Sequence, residues 1–296
     1  MRSIAVTVRS TDGVPIAATL HEPSTATDRP VVLVNSATAV RRGFYDRFAR
    51  FLADDGFTVV TYDYRGIGDS RPARLKGFRA HVRDWGEKDL AAMVDWIDVE
   101  RGKPRIVAVG HSLGGQMVGL AYNSNRISAM LGVAAQTGWW GHWPRPQRYA
   151  LAVLWYVAMP VTAAVLGYFP AKRLGIGEDL PGDVATEWAR WCRSPHYMVD
   201  DAGNPLRPHF DQFTGPLLAL SFADDRLAPA EAVTALTSYY SRAASRREHI
   251  DPHAIGLGSI GHFGFFRESA RPVLWDRAMA WLRAPSTSGL GLGGGL

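Results

Sequence analysis

The chain has 296 residues, of which 47% are hydrophobic, 21% charged and 11% aromatic, and this excludes disordered, collagen-like and low-complexity proteins. The formal charge is 33 − 28 = +5 with a pI near 9.5, yet the basic residues are scattered. The densest groups, Arg41-Arg42 and Arg246-Arg247, are too short for a nucleic-acid-binding tract, so no nucleic-acid partner is expected.

The length suits one large domain, or one domain with an insertion. A single cysteine, Cys192, leaves no intramolecular disulfide and no Cys-based metal site, which points to a reducing, cytoplasmic setting. The opening stretch MRSIAVTVRSTDG lacks the apolar run of a signal peptide, so no targeting is expected from it.

Residues 3–8 and 14–22 read as two strands around the turn Thr11-Asp12-Gly13. The apolar run Val31-Val32-Leu33-Val34 predicts a buried parallel strand. Phe44, Phe48, Phe51 and Leu52 recur at helical spacing over 44–55, with Gly56 as a stop. Alternation continues through strand 57–62, helix 84–99, strand 105–109, helix 113–122 and strand 129–135. It resumes with strand 216–222, helix 229–240, a short strand at 248–251 and helix 269–282. This order predicts an α/β fold: a mostly parallel sheet with helices on both faces. The glycine-rich tail, residues 284–296, is expected to be flexible.

Residues 137–208 break the alternation. They hold six of the ten tryptophans and an uncharged stretch of 21 residues, Tyr149 to Phe169, which is long enough to cross a bilayer. Pro160 interrupts that stretch, so it reads as two helices of an apolar insertion and no stable membrane span is expected. The predicted organisation is a core of residues 1–136 and 209–283 with a helical cap, 137–208, over the carboxyl ends of the strands. Trp139, Trp140, Trp143 and Trp188 are its expected substrate-lining residues. Cys192, inside the same segment, reads as buried packing rather than a reactive thiol.

The chemistry is concentrated at Gly110-His111-Ser112-Leu113-Gly114, one Gly-x-Ser-x-Gly between an apolar strand and an apolar helix. With 30 glycines in 296 residues the bare pattern is weak, and its strand–turn–helix context is what gives it weight. Such a turn holds Ser112 in a strained conformation near the positive end of a helix, where developing negative charge is favoured. A serine nucleophile needs a base. His262 sits on a loop before the last helix, with His249 and His253 as rivals, while His111 is expected to point away from the hydroxyl. The base in turn needs a carboxylate, and Asp224 and Asp225 both lie at a strand's carboxyl end.

These residues, with the strand and loop Val31–Thr38 and the loop Asp63-Tyr64-Arg65-Gly66-Ile67-Gly68-Asp69-Ser70, give a chain that resembles an α/β-hydrolase-fold serine hydrolase over residues 3–283. The second loop is similar to the D-x-R-G-x-G-x-S segment of esterases, lipases and serine aminopeptidase-like members. The resemblance implies a triad of Ser112, His262 and Asp225, since the family's acid stands four residues before a proline, here Pro229. It also implies an oxyanion hole from the backbone N–H groups of Leu113 and Ala37. Two departures stand out: Asn35-Ser36 replaces the common His-Gly after the third strand, and Asp225 and His262 are widely separated, implying an extended loop around 253–259. Relatives that attack with an aspartate, such as epoxide hydrolases and haloalkane dehalogenases, are disfavoured by Ser112.

The expected activity is carboxylic ester hydrolysis through an acyl-enzyme on Ser112, acting on a small molecule with an apolar part and requiring neither metal nor organic cofactor. Two alternatives stay open on sequence alone: an acyltransferase on the same scaffold, and a non-catalytic ligand-binding protein of this fold.

Overall fold

The computed structural model describes residues 1–25 and 27–291. β1 (Arg2–Arg9) and β2 (Pro15–Glu22) form the expected antiparallel hairpin. There follow β3 (Val31–Asn35), α1 (Asp46–Asp54), β4 (Thr58–Tyr62), α2 (Ala91–Arg101), β5 (Ile106–His111), α3 (Gly114–Met117) and β6 (Ile127–Val133). The segment that interrupts the alternation contributes α4 (Gln147–Val153), α5 (Met159–Leu166), the two-residue strands β7 (Tyr168–Phe169) and β8 (Leu180–Pro181), and α6 (Gly182–Arg193). β9 (Pro216–Phe222), α7 (Ala230–Tyr239), β10 (Ala244–Ile250) and α8 (Asp276–Arg283) complete the chain order.

The main sheet has eight strands in the order β1-β2-β4-β3-β5-β6-β9-β10. β2 meets β4 antiparallel, and every pairing from β4 to β10 is parallel. Because strand side chains alternate between faces, Val32, Val34, Val107 and Val109 bury against Phe48, Leu52 and Trp275 on one side. Leu33, Ala108 and Met130 face the opposite layer, with Trp85, Leu90 and Val94. Register aligns the carboxyl ends: Asn35 pairs with Gly110, His111 with Val133, and Val133 with Leu220. The loops that leave β3, β5, β6 and β9 therefore open at one level of the sheet.

Three expectations need correction. The helix expected over 113–122 is only one α turn, α3, tightening to a 3₁₀ turn at Val118–Leu120. Its glycines at 114, 115 and 119 lower helical stability, and packing on β5 fixes it instead. The apolar stretch is not split at Pro160: α4 and α5 run through π-helical turns at Leu154–Ala158 as one 20-residue helix, Gln147–Leu166. A π register already loosens the i→i−4 ladder, so a residue lacking an N–H is accommodated there. Finally, the described part of the tail is not free. The Leu290 side chain is buried, and its N–H donates to the Glu248 carboxylate at 3.1 Å. Residues 292–296 of that tail lie outside the described residues.

Candidate active site

β5 delivers Ser112 into a turn with φ = 53°, the left-handed region that costs a non-glycine residue of order 1–3 kcal/mol. The turn is pinned from both sides: the Ser112 N–H donates to the Val133 carbonyl at 3.0 Å, and the Gly115 N–H to the Ser112 carbonyl at 3.1 Å. Its glycines are steric requirements. A Cβ on Gly110 would lie 2.5 Å from the Gly115 Cα, and one on Gly114 would lie 2.1 Å from the Asn35 carbonyl oxygen. The loop after β3 therefore packs directly on the start of α3.

His262 Nδ1 lies 2.8 Å from Asp225 Oδ2, with the histidine 9% and the aspartate 7% exposed. The other carboxylate oxygen, Asp225 Oδ1, accepts the N–H groups of Leu227 at 2.7 Å and Ala228 at 3.1 Å, which fix the carboxylate plane. Asp224 does something else. Its oxygens accept the N–H groups of Ile260 at 2.8 Å and Gly261 at 2.9 Å, clasping the loop that carries His262. Between β10 and His262 that loop is irregular apart from a 3₁₀ turn, His253–Ile255, as the long Asp225–His262 spacing implied. The rivals lie elsewhere: His249 Nδ1 contacts Ser221 Oγ at 2.9 Å on β10, and His253 is exposed.

The Ser112 hydroxyl does not donate to His262. It donates to Gln136 Oε1 at 3.3 Å, while Gln136 Nε2 donates to the Leu227 carbonyl at 3.3 Å, so the amide orientation is set by its neighbours. Gln136 escaped sequence reasoning. Its only signal was its position just past the carboxyl end of β6, where parallel sheets place ligand-contacting groups.

The assignment of the Ala37 N–H as an oxyanion donor also needs correction. That N–H donates to Tyr45 Oη at 2.8 Å. Tyr45 is fully buried and burial raises its phenol, so it keeps its proton and donates to His111 Nδ1 at 2.8 Å. Burial holds His111 well below the usual histidine range, with the neighbouring His262 adding to the effect. The neutral imidazole then carries its proton on Nε2, which donates to the His262 carbonyl at 2.8 Å. A relay thus runs Ala37–Tyr45–His111–His262, joining the loop after β3 to the histidine loop beneath the cavity. His111 points away from the Ser112 hydroxyl, as expected. The amide of Leu113 stands at the N-terminal end of α3, whose N-cap residue it is.

The segment Asp63–Ser70 is a brace rather than part of the reacting set. The buried Asp63 carboxylate accepts the Arg42 N–H at 2.7 Å and pairs with the Arg42 guanidinium. Arg65, itself buried, bridges Asp12 at 2.8 Å and Asp89 at 2.7 Å.

Ser112, His262 and Gln136 share a cavity of about 330 Å³ with Thr38, Trp143, Leu151, Leu154, Trp155, Met159, Phe169, Leu180 and Trp188. Most of that wall comes from the 137–208 segment. Trp143 is also tied to the acid loop, its Nε1 donating to the Arg226 carbonyl at 2.8 Å. Of the four expected tryptophans, Trp143 and Trp188 line the cavity and Trp139 and Trp140 do not. Trp139 instead packs edge-on against His142 with ring centroids 4.9 Å apart, and Trp140 packs against the core. Cys192 is buried, and desolvation raises its thiol, which keeps it protonated. An outer groove of about 970 Å³, lined in part by Arg41, Arg42, Asp69 and Glu178, shares Ala39, Ile176, Leu227 and Phe263 with the inner cavity. Among the described residues no group of three or more His, Cys, Asp or Glu side chains is placed to hold a metal ion.

The quorum-quenching protein AidA of Acinetobacter baumannii is 30% identical to this chain over 123 residues, covering 40% of the chain and 39% of that protein. The match thus spans about two fifths of the curated relative's length. Among solved structures, the esterase EaEST of Exiguobacterium antarcticum superposes with a TM-score of 0.61 at 15% identity, covering 95% of this chain and all of that one. Est816, described as an N-acyl homoserine lactone degrading enzyme, superposes with a TM-score of 0.58 at 16% identity, covering 92% and 99%. At these identities the superpositions speak for the fold. Residues 31–277, from the first parallel strand to the last helix, match the Alpha/beta hydrolase family, and the chain belongs to that family.

Proposed function

We propose that the protein is a serine hydrolase that cleaves carboxylic esters, cyclic esters included, through an acyl-enzyme on Ser112. The observation that carries this reading is the 2.8 Å His262–Asp225 pair opening on the same cavity as a serine held at φ = 53°. In the first half-reaction the Ser112 hydroxyl swings from Gln136 to His262 Nε2 and gives up its proton as Oγ attacks the carbonyl carbon. Catalytic hydrogen bonds commonly tighten only in the substrate complex. Asp225 holds the imidazole tautomer and steadies the imidazolium. The tetrahedral oxyanion collapses, the carbon–oxygen bond to the leaving alcohol breaks, and His262 returns the proton to that alkoxide. Water then attacks the acyl-enzyme with His262 as base, releasing the carboxylate and restoring the serine.

The Leu113 N–H supplies one oxyanion donor. With the Ala37 N–H given to Tyr45, the second comes from the adjoining Thr38, which lines the cavity and whose buried hydroxyl has no partner. The 137–208 segment acts as a cap that desolvates the acyl group. Its cavity of about 330 Å³ lies at the small end of the usual ligand range of roughly 300–1,000 Å³, so a short to medium acyl chain fits best. A lactone is an intramolecular ester that opens by the same steps. The AidA match and the Est816 likeness favour testing N-acyl homoserine lactones beside linear esters.

The test is Ser112→Ala, assayed on nitrophenyl esters and on acyl lactones of graded chain length. Loss of nearly all turnover, together with loss of fluorophosphonate labelling, is expected. Wild-type rates in that variant would overturn the mechanism.

A further inference from the structure

The helix Gln147–Leu166 is apolar on both of its faces. One face, with Leu151, Leu154, Trp155 and Met159, walls the inner cavity. The opposite face carries Tyr149, Val153, Tyr156, Val157, Val161 and Val165, all at least half exposed, with Val165 at 72%. Steps of three and four keep these six on one continuous stripe. Leu174 and Ile176 extend the patch at 59% and 60% exposure, so eight of the eleven most exposed large apolar side chains among the described residues fall within 149–176. A soluble surface gains nothing from this clustering, and a patch of this kind marks a site of association.

Charge selects the partner. From His142 to Gly177 the sequence has no Asp or Glu, while Arg145 and Arg148 precede the stripe in the chain and the exposed Lys172 and Arg173 follow it. Arg193 adds a guanidinium over the Tyr156 ring at 5.5 Å, and among the described residues only Lys172 of these five has an acidic partner within 4 Å, Glu178 at 3.8 Å. A second copy seated on this face would set one cationic rim against another. An anionic surface with an apolar interior would satisfy both features.

We propose that this face docks in plane on an anionic phospholipid surface. The helix lies on the bilayer and does not cross it, because Trp155, Met159 and Ala163 on its inner side are buried against the protein. Ile176, which lines both the inner cavity and the outer groove, is itself part of the patch, so the mouth of the site meets the lipid surface. Apolar cargo would then pass from lipid to cavity along one wall. The inference goes beyond the ester-hydrolase reading, and its test does not depend on it.

The experiment is flotation of the purified full chain with phosphatidylcholine vesicles, with and without about one third phosphatidylglycerol, at low and high salt. Flotation with the anionic vesicles, weakened by salt and by omission of phosphatidylglycerol, is expected. Substituting Val153→Asp, Val157→Asp and Val161→Asp together, with circular dichroism and melting to verify the fold, should lower vesicle binding roughly tenfold or more. Arg145→Gln with Arg173→Gln should remove the preference for anionic lipid. No flotation with any vesicle, or unchanged flotation of the triple variant, overturns the proposal. So does a dimer in velocity sedimentation that the triple substitution dissociates while vesicles are ignored, since the face would then belong to a second copy.

Discussion

The relay beneath the cavity makes a demanding prediction for Tyr45→Phe, a change that removes one oxygen from a fully buried ring. Two groups lose their partner: the Ala37 N–H and His111 Nδ1, each 2.8 Å from the phenolic oxygen. Each buried orphan costs about 1–3 kcal/mol, and relief from burying the hydroxyl returns part of it, so a net loss of about 2–4 kcal/mol follows. The ring itself still packs edge-on against Phe266 at 4.8 Å, so no cavity adds to that figure. For a chain of this size a loss of 1 kcal/mol lowers Tm by about 2 °C, so the shift is about 4–8 °C. Calorimetry and the urea midpoint would both report it. A shift below about 1 °C would refute the relay, because a bond that is absent cannot be missed.

Further outcomes follow from the same geometry. Asp225→Asn leaves a neutral amide beside His262 and can hold the wrong tautomer, so kcat on a nitrophenyl ester should fall roughly 10³–10⁴-fold; a loss under about tenfold would remove Asp225 from the set. Gly114→Ala would put a Cβ 2.1 Å from the Asn35 carbonyl and 2.8 Å from that of Ser36, forcing the loop after β3 outward. A stability loss of about 1–3 kcal/mol with a larger drop in kcat than in KM is expected, and wild-type melting and kinetics would contradict the close approach. His21 and His111 are buried, and desolvation lowers both imidazoles. Below about pH 6.5 the unfolded chain binds protons that the folded chain refuses, so stability is retained above that pH and falls below it. The limit is about 1.4 kcal/mol per pH unit for each histidine. Asp89, pushed up to about 6 by burial, binds a proton more readily when folded and offsets part of the loss below that pH. Urea midpoints that stay flat between about pH 7 and about pH 5 would refute the neutral pair.

Much of the site was legible because its signals are local. The apolar run into Gly110-His111-Ser112 marks a strand ending in a tight turn, and the glycines are demanded by backbone contacts within that turn and to its neighbour. His262 and Asp225 stand out in the sequence as loop residues after strands, yet Asp224 and Asp225 have the same local setting. Only the fold shows one clasping Ile260 and Gly261 while the other meets the imidazole. Trp139 and Trp143 likewise share a segment, flanking one 3₁₀ turn, Trp140–His142, and only the tertiary packing puts Trp143 on the cavity wall and Trp139 outside it.

Pattern along the chain thus determines the α/β order, the buried strands and the strand–turn–helix setting of Ser112, because each depends on spacing within a few residues. Partners that meet across long stretches of chain were decided by packing. Gln136 takes the Ser112 hydroxyl, and Tyr45 accepts the Ala37 amide while its own O–H donates to His111, 66 residues away. A hydrogen bond carries no periodicity, so only the tertiary structure could choose among the many donors and acceptors that were free to make it.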